Sequence, residues 1–561
     1  MAIYDPKKYL NYAEMSELLK SLSRDFADLC LLESIGKTLQ GRDIWLMTIT
    51  DQKKIAPQEK PAYWVDGNTH AGEVAGTQAC LHLIHKLLHS FGKDRVITQL
   101  LEEQTFYIVP RISADGAEVF FSSPHRLRSA PVDWPNKDIK GLDEADIDND
   151  GHIVKMRVKD PNGQWRQSEK DPRIMLYRRP DEDDPNTTYY RMYSEGLFED
   201  YDGFKKIVRP YRWSLDLNRN YPINWRPEGE QVGAGPYPLS QPESRSLLAA
   251  ITARPNIVGM QSFHGYGNVI LRPSMSKPDL EIDEQDLHAF ESLGRRGEEI
   301  TGYRAISVFH NFRYSQRSLL GGNFNDWAYD AQGYLVFSNE IWSLPEKAGV
   351  KIENPGEQYC RELPEQDQLR ILTWCDDNLP PGSFYKLWQT FQHPQLGEVE
   401  IGGWLFKYTW TNPPPQFLPE EVEKNANFVI ACAKANPRIK IYSANSEIVS
   451  NGVRKLTLII ENSGYLPTYG TNRARLAKTV HAPRVQLALA QGQRLIAGEA
   501  DFEISHLGGR SNLAYRANFY GFRGASNDDQ LKLEWVIEGS GPVTVTVNFQ
   551  KAGTVRHMFD G

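Results

Sequence analysis

Residues 62–92 read AYWVDGNTHAGEVAGTQACLHLIHKLLHSFG, and this stretch decides the fold. The apolar run at 62–68 is typical of a buried strand. Leucines and isoleucines then recur at three- and four-residue steps and predict an amphipathic helix over 76–92. A strand that leads directly into a helix is the unit from which α/β sheets are built.

The segments around this unit predict more of the same sheet. Apolar spacing between Met15 and Phe26 predicts a first helix, and 419–435 predicts a last one. Short apolar runs predict further strands at 29–36, 43–50, 106–112, 256–265, 268–273 and 333–340. Because strands and helices alternate, we predict an α/β fold with a mixed, mostly parallel sheet flanked by helices.

Two regions break this pattern. Residues 131–210 are rich in Asp, Pro, Arg and Tyr without long periodicity, and we interpret them as a large insertion packed over the core. Beyond Pro437, short alternating strands are broken by Gly and Asn, which is typical of a β-sandwich. The sequence therefore predicts an α/β domain at 1–436 and a β-sandwich domain at 437–561.

The bulk composition is that of an ordinary globular protein. Hydrophobic residues make up 40% and charged residues 24% of the chain, and the net charge of −8 argues against nonspecific nucleic-acid binding. There is no apolar run of bilayer length, and residues 1–15 lack the apolar core of a signal peptide. We therefore expect a cytoplasmic protein without a membrane partner, unless a leader has been removed. Five scattered cysteines favour free thiols over disulfides or a cysteine metal site.

His70 and Glu73 follow the strand at 62–68 directly. The carboxyl ends of strands are where open α/β sheets build their sites. Imidazole nitrogen and carboxylate oxygen are both zinc ligands, and the three-residue spacing lets a tight loop aim both at one ion. Taken alone, the pair is better explained by a surface histidine and a helix-capping glutamate than by a metal site.

Three later segments supply partners for this pair. His264 follows another apolar strand and would complete a His/Glu/His set with one position left for water, as in catalytic zinc sites. Asn218 and Arg219 end a short strand-like segment, DLNRN at 216–220. Glu340 ends the strand at 333–340, where a charge is costly unless it faces a site. A structural histidine and a loop with a surface arginine remain the alternatives for the first two.

With these residues identified, the sequence resembles the M14 zinc metallocarboxypeptidases, the carboxypeptidase A-like family. Nine segments match in family order over about residues 10–345, outside the insertion. They are SIGKTLQGRDIW, DGNTHAGE, RISADG, HRLRS, DLNRNY, LSQPES, SFHGYG, GGNFNDWAYD and LVFSNE. One such motif is unspecific, but nine in order form a specific signature.

The resemblance implies an enzyme that hydrolyses C-terminal residues from peptides with a zinc-activated water. The positions that match the family's zinc ligands are His70, Glu73 and His264. Glu340 matches its general base, which takes the proton of the water and passes it to the leaving amine.

The resemblance also implies the residues that hold the substrate. Asn218 and Arg219 match the pair that grips the terminal carboxylate, a role that suits the bidentate guanidinium. Arg128 matches the arginine that polarises the scissile carbonyl, with Arg126 as the alternative. Tyr266 matches an aromatic residue that lines the cleft.

The match is weaker at three positions. Gly72 stands where many family members have a basic residue. Tyr314 is the candidate for the family's mobile tyrosine, although Arg317 has the more direct spacing. Asn325 falls near the specificity position and is neither apolar nor acidic, so it does not define the preferred side chain.

The insertion contains a candidate second metal site. Residues 146–157 repeat the Asp-x-Asp-x-Asp-Gly spacing of a calcium loop. The candidate calcium ligands are Asp146, Asp148, Asp150 and His152. Arg157 occupies the twelfth position instead of Glu, and the alternative is an acidic, Asx-rich turn.

Two other function classes stay open. A zinc amidase or deacylase on the same scaffold, acting on a peptidoglycan or γ-glutamyl amide, could use Asn218 and Arg219 for any substrate carboxylate. A non-enzymatic binding protein would use the β-sandwich and keep an inactive α/β domain. Retention of all three ligand types together with Glu340 argues against the latter.

Overall fold

The first half of the central sheet comes from the chain before the insertion. The structure, a computed structural model, describes residues 4–53, 55–135, 138–314, 320–358, 362–513 and 527–560. The first elements are α1 (Tyr12–Asp25), β1 (Cys30–Lys37), β2 (Asp43–Ile49), β3 (Ala62–Gly67), α2 (Val74–Ser90), α3 (Arg95–Glu103), β4 (Thr105–Val109) and α4 (Ala114–Ser122). Two of these helices begin at N-capping side chains. Asn11 caps α1 in a capping box with Glu14, and Asp94 caps α3.

The insertion consists of short strands. They are β5 (Leu142–Glu144), β6 (Lys155–Lys159), β7 (Trp165–Gln167), β8 (Met175–Tyr177), β9 (Tyr189–Ser194) and β10 (Gly196–Phe198). None exceeds six residues, which is why the sequence shows no long periodicity there.

The chain then returns to the central sheet. Its elements are α5 (Pro242–Thr252), β11 (Ile257–His264), β12 (Val269–Arg272), α6 (Glu284–Thr301), β13 (Arg304–Ser307), α7 (Val308–Asn311), α8 (Phe324–Asp326), β14 (Leu335–Glu340), α9 (Leu344–Lys347), α10 (Pro355–Gln358), α11 (Glu365–Asn378), β15 (Tyr385–His393), β16 (Gly397–Trp404) and α12 (Leu418–Lys434).

The central sheet has eight strands in the order β1-β2-β4-β3-β11-β14-β12-β13. The neighbours β4, β3, β11 and β14 run parallel, whereas β1, β2 and β12 introduce antiparallel pairs. The predicted α/β fold with a mixed, mostly parallel sheet is therefore confirmed. Strands β3, β11 and β14 are buried along their whole length, which explains their continuous apolar sequence.

The insertion forms a second sheet together with a later hairpin. Its order is β15-β16-β6-β9-β7-β8, so residues 385–404 complete the sheet. The sequence did not predict β15 and β16, because only two of the nine side chains of β15 are buried and its apolar alternation is weak.

Helix α2, which begins directly after Glu73, packs closely against the central sheet. A Cβ at Gly76 would lie 2.9 Å from the backbone oxygen of Phe263, so only glycine allows this close approach of α2 to β11. At the same edge, Asn68 adopts a left-handed conformation with φ of 60° and turns the chain out of β3.

The chain after α12 forms two facing four-stranded sheets. Its elements are β17 (Ile439–Ser450), β18 (Val453–Asn462), α13 (Asn472–Leu476), β19 (Arg484–Leu489), β20 (Arg494–Ala497), β21 (Asp501–Glu503), α14 (Arg510–Leu513), β22 (Gln530–Glu538), β23 (Val543–Phe549) and β24 (Gly553–Phe559). The sheet orders are β17-β18-β22-β20 and β21-β19-β23-β24. Alternate residues such as Leu456 and Val545 point between the sheets and form a separate core.

Among the helices that the structure describes, none has the length and apolarity to cross a lipid bilayer.

Candidate metal centre and substrate pocket

The three predicted zinc ligands meet at one edge of the central sheet. His70 lies in the turn after β3, Glu73 precedes α2, and His264 ends β11. Oε1 of Glu73 lies 2.7 Å from Nδ1 of His70, and Oε2 of Glu73 lies 3.1 Å from Nδ1 of His264. The two Nδ1 atoms are 3.2 Å apart. All three side chains are buried.

This arrangement fits a zinc ion. Two imidazole nitrogens and a carboxylate converge, and one shared proton could bridge only one pair of these atoms at a time. A cation would satisfy all three donors together, and two histidines with one glutamate form a known zinc ligand set.

The outer nitrogen of each histidine is held by a further polar group. Nε2 of His70 lies 3.2 Å from Oδ1 of Asp216, and Nε2 of His264 lies 3.4 Å from Oγ of Ser262. The Ser262 hydroxyl in turn donates to Asp66 at 2.6 Å. Such partners fix the ring orientation and leave the inner nitrogens free for a metal.

The buried carboxylates of Glu73 and Asp216 are stabilised as anions by the histidines and arginines beside them. Burial opposes the ionisation of Glu73, but the charge of His70 and hydrogen bonds from both histidines lower its pKa to about 2. Burial likewise opposes ionisation of Asp216, yet the positive charges of Arg128 and Arg219 hold its pKa well below the ordinary value. Both carboxylates are therefore anions, as cation binding requires.

Glu340 lies beside the centre because β14 is next to β11 and the sheet register pairs it with His264. Its carboxylate accepts a hydrogen bond from the backbone N–H of Tyr266. Burial raises the pKa of Glu340 well above its ordinary value, and the charge of Glu73 raises it further. Burial and the neighbouring carboxylate thus both favour the protonated form of Glu340 over its anion.

A small cavity of about 50 Å³ opens from the centre, and Asn218, Arg219, Tyr314 and Asn325 lie in its wall. The buried Arg219 donates from Nη1 to the backbone oxygen of Asn218 at 2.7 Å. Oδ1 of Asn218 accepts from the backbone N–H of Phe324 at 2.8 Å, which fixes its amide. Oδ1 of Asn325 accepts from Ser338 at 2.9 Å.

The structure separates the two arginines of the HRLRS segment. Arg128 donates from Nε to Asp216 at 2.9 Å and lies 3.7 Å from Glu73, so it borders the metal centre. The guanidinium of Arg126 instead lies 4.4 Å from the ring centre of Phe406.

The aromatic candidates occupy different places. Tyr266 lines a second, larger cavity above the centre, and Tyr314 lines both cavities. Arg317, the alternative to Tyr314, lies outside the described residues.

The segment before Asn218, predicted to be strand-like, is irregular and leads into a 3₁₀ helix at Leu217–Arg219.

In the predicted calcium loop, a lysine occupies the position of a cation. Asp146, Asp148 and Asp150 lie close together, but both oxygens of Asp146 accept backbone N–H groups within the loop. The ammonium group of Lys386, on β15, pairs with Asp148 and lies 2.7 Å from Asp150. The exposed His152 is not part of the acidic group. Calcium is therefore not supported, because Lys386 already supplies the positive charge.

Sequence reasoning missed two carboxylates of the centre, Asp216 and Asp66. Asp216 opens the DLNRN segment, and an acidic residue two positions before a predicted substrate ligand was a usable signal. Asp66 lies within β3, and its contact with Ser262 follows only from the register between β3 and β11.

Comparison with known families gives two matches. A family model described as "Zinc carboxypeptidase" matches residues 15–348, more than half of the chain. A second model, described as "Domain of unknown function (DUF8731)", matches residues 438–560.

Curated relatives share shorter segments. Carboxypeptidase M of Mus musculus is 32% identical over 111 residues, which cover 20% of this chain and 25% of that protein. Carboxypeptidase D of Homo sapiens is 28% identical over 108 residues, which cover 19% of this chain and 8% of that protein. Carboxypeptidase A5 of Macaca fascicularis is 19% identical over 341 residues, or 59% and 60% of the two chains. The matches thus span less than two thirds of each relative.

Solved structures show weak overall likeness. Carboxypeptidase A from Helicoverpa armigera has a TM-score of 0.43 at 15% identity, covering 77% of this chain and 76% of that one. Thrombin activatable fibrinolysis inhibitor has a TM-score of 0.42 at 16% identity, covering 76% and 74%. At these scores the likeness adds nothing to the family match.

Proposed function

This chain belongs to the zinc carboxypeptidase family, and from that premise we propose that it is a zinc-dependent carboxypeptidase that removes C-terminal residues from peptides. One observation carries the proposal. The buried Arg219 lies in the wall of the same small cavity as His70, His264 and Glu340. A free carboxylate held by Arg219 would therefore place the last peptide bond of a substrate at the metal centre.

Substrate recognition follows from the cavity wall. The guanidinium of Arg219 offers paired N–H donors that match a carboxylate. Asn218 adds an amide whose oxygen is already fixed by Phe324. Asn325 and Ser338 form a polar part of the wall against which the released side chain would rest.

The residues around the scissile bond have separate tasks. The zinc, held by His70, Glu73 and His264, would polarise the attacking water and the peptide carbonyl. Glu340 takes a proton from the attacking water and delivers it to the leaving amine, a role that its position beside His264 supports. Arg128 borders the centre and stabilises negative charge on the former carbonyl oxygen.

We propose the predicted division of the chain as the functional one. Residues 1–436 would form the catalytic domain, with the insertion at 131–210 over the cleft. Residues 437–561 would support it, because Thr471 and Asn472 hydrogen-bond to Gly333 and Asp286 of the α/β part. Neither the family match nor the described residues favour the amidase, deacylase or binding-protein alternatives.

The proposal is tested with paired peptides that differ only in a free or amidated C-terminus. We expect release of the last residue from the free acid and loss of that release after zinc chelation. Equal cleavage of both peptides would contradict the proposed role of Arg219.

A further inference from the structure

A second cavity of about 740 Å³ extends from the metal centre to the insertion. We call it the aromatic chamber and define it by six wall residues: Trp165, Tyr385, Trp388, Trp404, Phe406 and Trp410. Most of this wall comes from residues 385–410, beyond the segment at 15–348 that matches the family model. The family match therefore leaves most of the aromatic wall undescribed, whereas Trp165 lies within the matched segment.

The aromatic wall is a connected unit. Tyr385 meets Trp404 edge to face at 5.4 Å, Trp404 meets Trp410 at 5.2 Å, and Phe406 lies 6.0 Å from Trp410. The indole of Trp388 donates to the backbone oxygen of Arg173 at 3.3 Å. Side chains locked in this way provide binding area at little cost in conformational entropy.

The charged groups of the chamber fall into two classes. Arg128 is paired with Asp216, and Arg173 is paired with Asp171 and Asp376, each at 2.7 Å. These two guanidinium groups are already neutralised by protein carboxylates.

Arg126 and Lys155 are not neutralised in this way. Among the residues that the structure describes, neither has a carboxylate within ion-pair distance. Arg126 stacks on Phe406 at 4.4 Å, and Nζ of Lys155 donates to Oγ of Ser194 at 3.2 Å. Both side chains line the chamber and are exposed to the solvent that fills it. A bound anion would supply the opposite charge that no carboxylate of the described residues supplies at ion-pair distance.

Two acidic residues near the chamber, Glu144 and Glu362, do not form ion pairs with Arg126 or Lys155. Glu144 acts on Arg126 and Lys155 through its charge but lies beyond ion-pair distance of both. Glu362 lines the chamber, and its carboxylate accepts a hydrogen bond from Gln368 at 3.4 Å.

The chamber also lies on the side of the metal centre where the peptide before the scissile bond would lie. In the proposed function, the terminal carboxylate and the released residue would occupy the small cavity of Arg219, whereas Tyr266, Arg126 and Trp165 of the insertion line the chamber. The peptide upstream of the scissile bond is the part of the substrate that would enter the chamber.

We propose, resting on the proposed carboxypeptidase function, that the aromatic chamber binds the upstream part of the peptide and selects an acidic side chain there through Arg126 and Lys155. The substrate class is a peptide with Glu or Asp shortly before the released residue and apolar or aromatic side chains against the wall. Binding is electrostatic in part, so the selectivity weakens as salt concentration rises.

The test compares blocked tetrapeptides that carry Glu or Gln at the second residue before the released one. The released residue is held constant and is taken from the best substrate of a panel. We expect kcat/KM to be about tenfold higher for the Glu peptide at low salt, as one charge-assisted contact provides. The Arg126→Gln and Lys155→Met variants should lose this preference, because kcat/KM for the Glu peptide falls about tenfold toward the value for the Gln peptide.

Two controls separate charge from folding. Lys93→Met removes an exposed positive charge outside the chamber wall and should keep the preference. Arg126→Lys retains the charge and should restore most of it. Equal kcat/KM for the two peptides, or a preference that survives Arg126→Gln combined with Lys155→Met, overturns the proposal.

A failure of the proposed function gives a different result. If neither peptide is cleaved, the carboxypeptidase assignment fails. Calorimetric titration of the same two peptides into the protein then decides the chamber: tighter binding of the Glu peptide, lost in the double variant, supports it, and equal binding rejects it.

Discussion

Oδ1 of Asp216 lies 3.2 Å from Nε2 of His70, on the side of the imidazole that faces away from the metal donors. The other oxygen of the same carboxylate accepts from Nε of Arg128 at 2.9 Å. Asp216 thereby holds a proposed metal ligand and the proposed catalytic arginine at once, and the backbone N–H of Asn218 donates to it at 2.8 Å. One buried carboxylate links the metal centre to the substrate pocket.

Asp216→Asn should weaken zinc binding by about 10- to 100-fold, because the amide no longer stabilises the imidazole as a metal ligand. Zinc affinity is measured by competition with a chromogenic chelator. Asp66→Asn is the matched comparison: it reaches His264 only through Ser262, and its amide oxygen can still accept from that hydroxyl, so its effect should be smaller. An equal or larger loss in Asp66→Asn would contradict this ranking.

Arg219→Gln should reduce kcat/KM for peptides with a free C-terminus by about 100-fold or more, since two charge-assisted hydrogen bonds to the carboxylate are lost. Most of the loss should appear in KM if the contact is made equally in the ground state and the transition state. Amidated peptides serve as the internal control and should change little. A variant that keeps its preference for the free acid would show that another residue holds the carboxylate.

The zinc ligands and Glu340 were predictable because each follows an apolar strand, and the carboxyl ends of adjacent parallel strands meet at one edge. The structure places Gly67, His264 and Glu340 at the ends of β3, β11 and β14, three neighbours in the sheet. The main α/β fold was predictable for the same reason, since buried strands are continuously apolar.

Partnerships between distant segments were not predictable in this way. Asp148 and Lys386 are separated by 238 positions, and β15 has too little buried surface to show as a strand. The calcium prediction is not supported for this reason, because the loop spacing is visible in the sequence and the position of Lys386 beside the loop is not. Cys360 lies outside the described residues, whereas the other four cysteines are buried free thiols, as predicted.

Lys386→Met should destabilise the protein by about 1–3 kcal/mol, because Asp148 and Asp150 then face each other without a cation. Urea unfolding measures the change. Lys159→Met, which removes an exposed lysine from the same sheet, should have little effect. The unmodified protein should take up no calcium in a calorimetric titration, and calcium uptake at this loop would show that Lys386 does not hold the site.

Lys551 should make stability depend on pH above neutrality. Its ammonium is fully buried against Tyr334, near Asp286 and His506, and burial lowers its pKa to about 7. Because the folded pKa lies below the unfolded value, the unfolded chain binds more protons between these two values, and this group makes the free energy of unfolding rise from pH 7 to about 10.

Lys551→Met removes this penalty, so it should stabilise the protein at pH 7 by about 1–3 kcal/mol, with a smaller gain at pH 10. The exposed Lys440 provides the control, since Lys440→Met should leave the pH profile unchanged. Denaturant unfolding across pH 6 to about 10 gives both curves. A gain that does not shrink with rising pH would contradict a neutral, buried lysine.

The most direct test of the account is the release of free C-terminal amino acid by the zinc-loaded protein and by Glu340→Gln, with zinc content measured in both. We predict that both proteins bind one zinc, that chelation abolishes release and added zinc restores it, and that Glu340→Gln lowers kcat by about 10²- to 10⁴-fold. Release that persists at the original rate in the zinc-loaded Glu340→Gln protein would contradict the account.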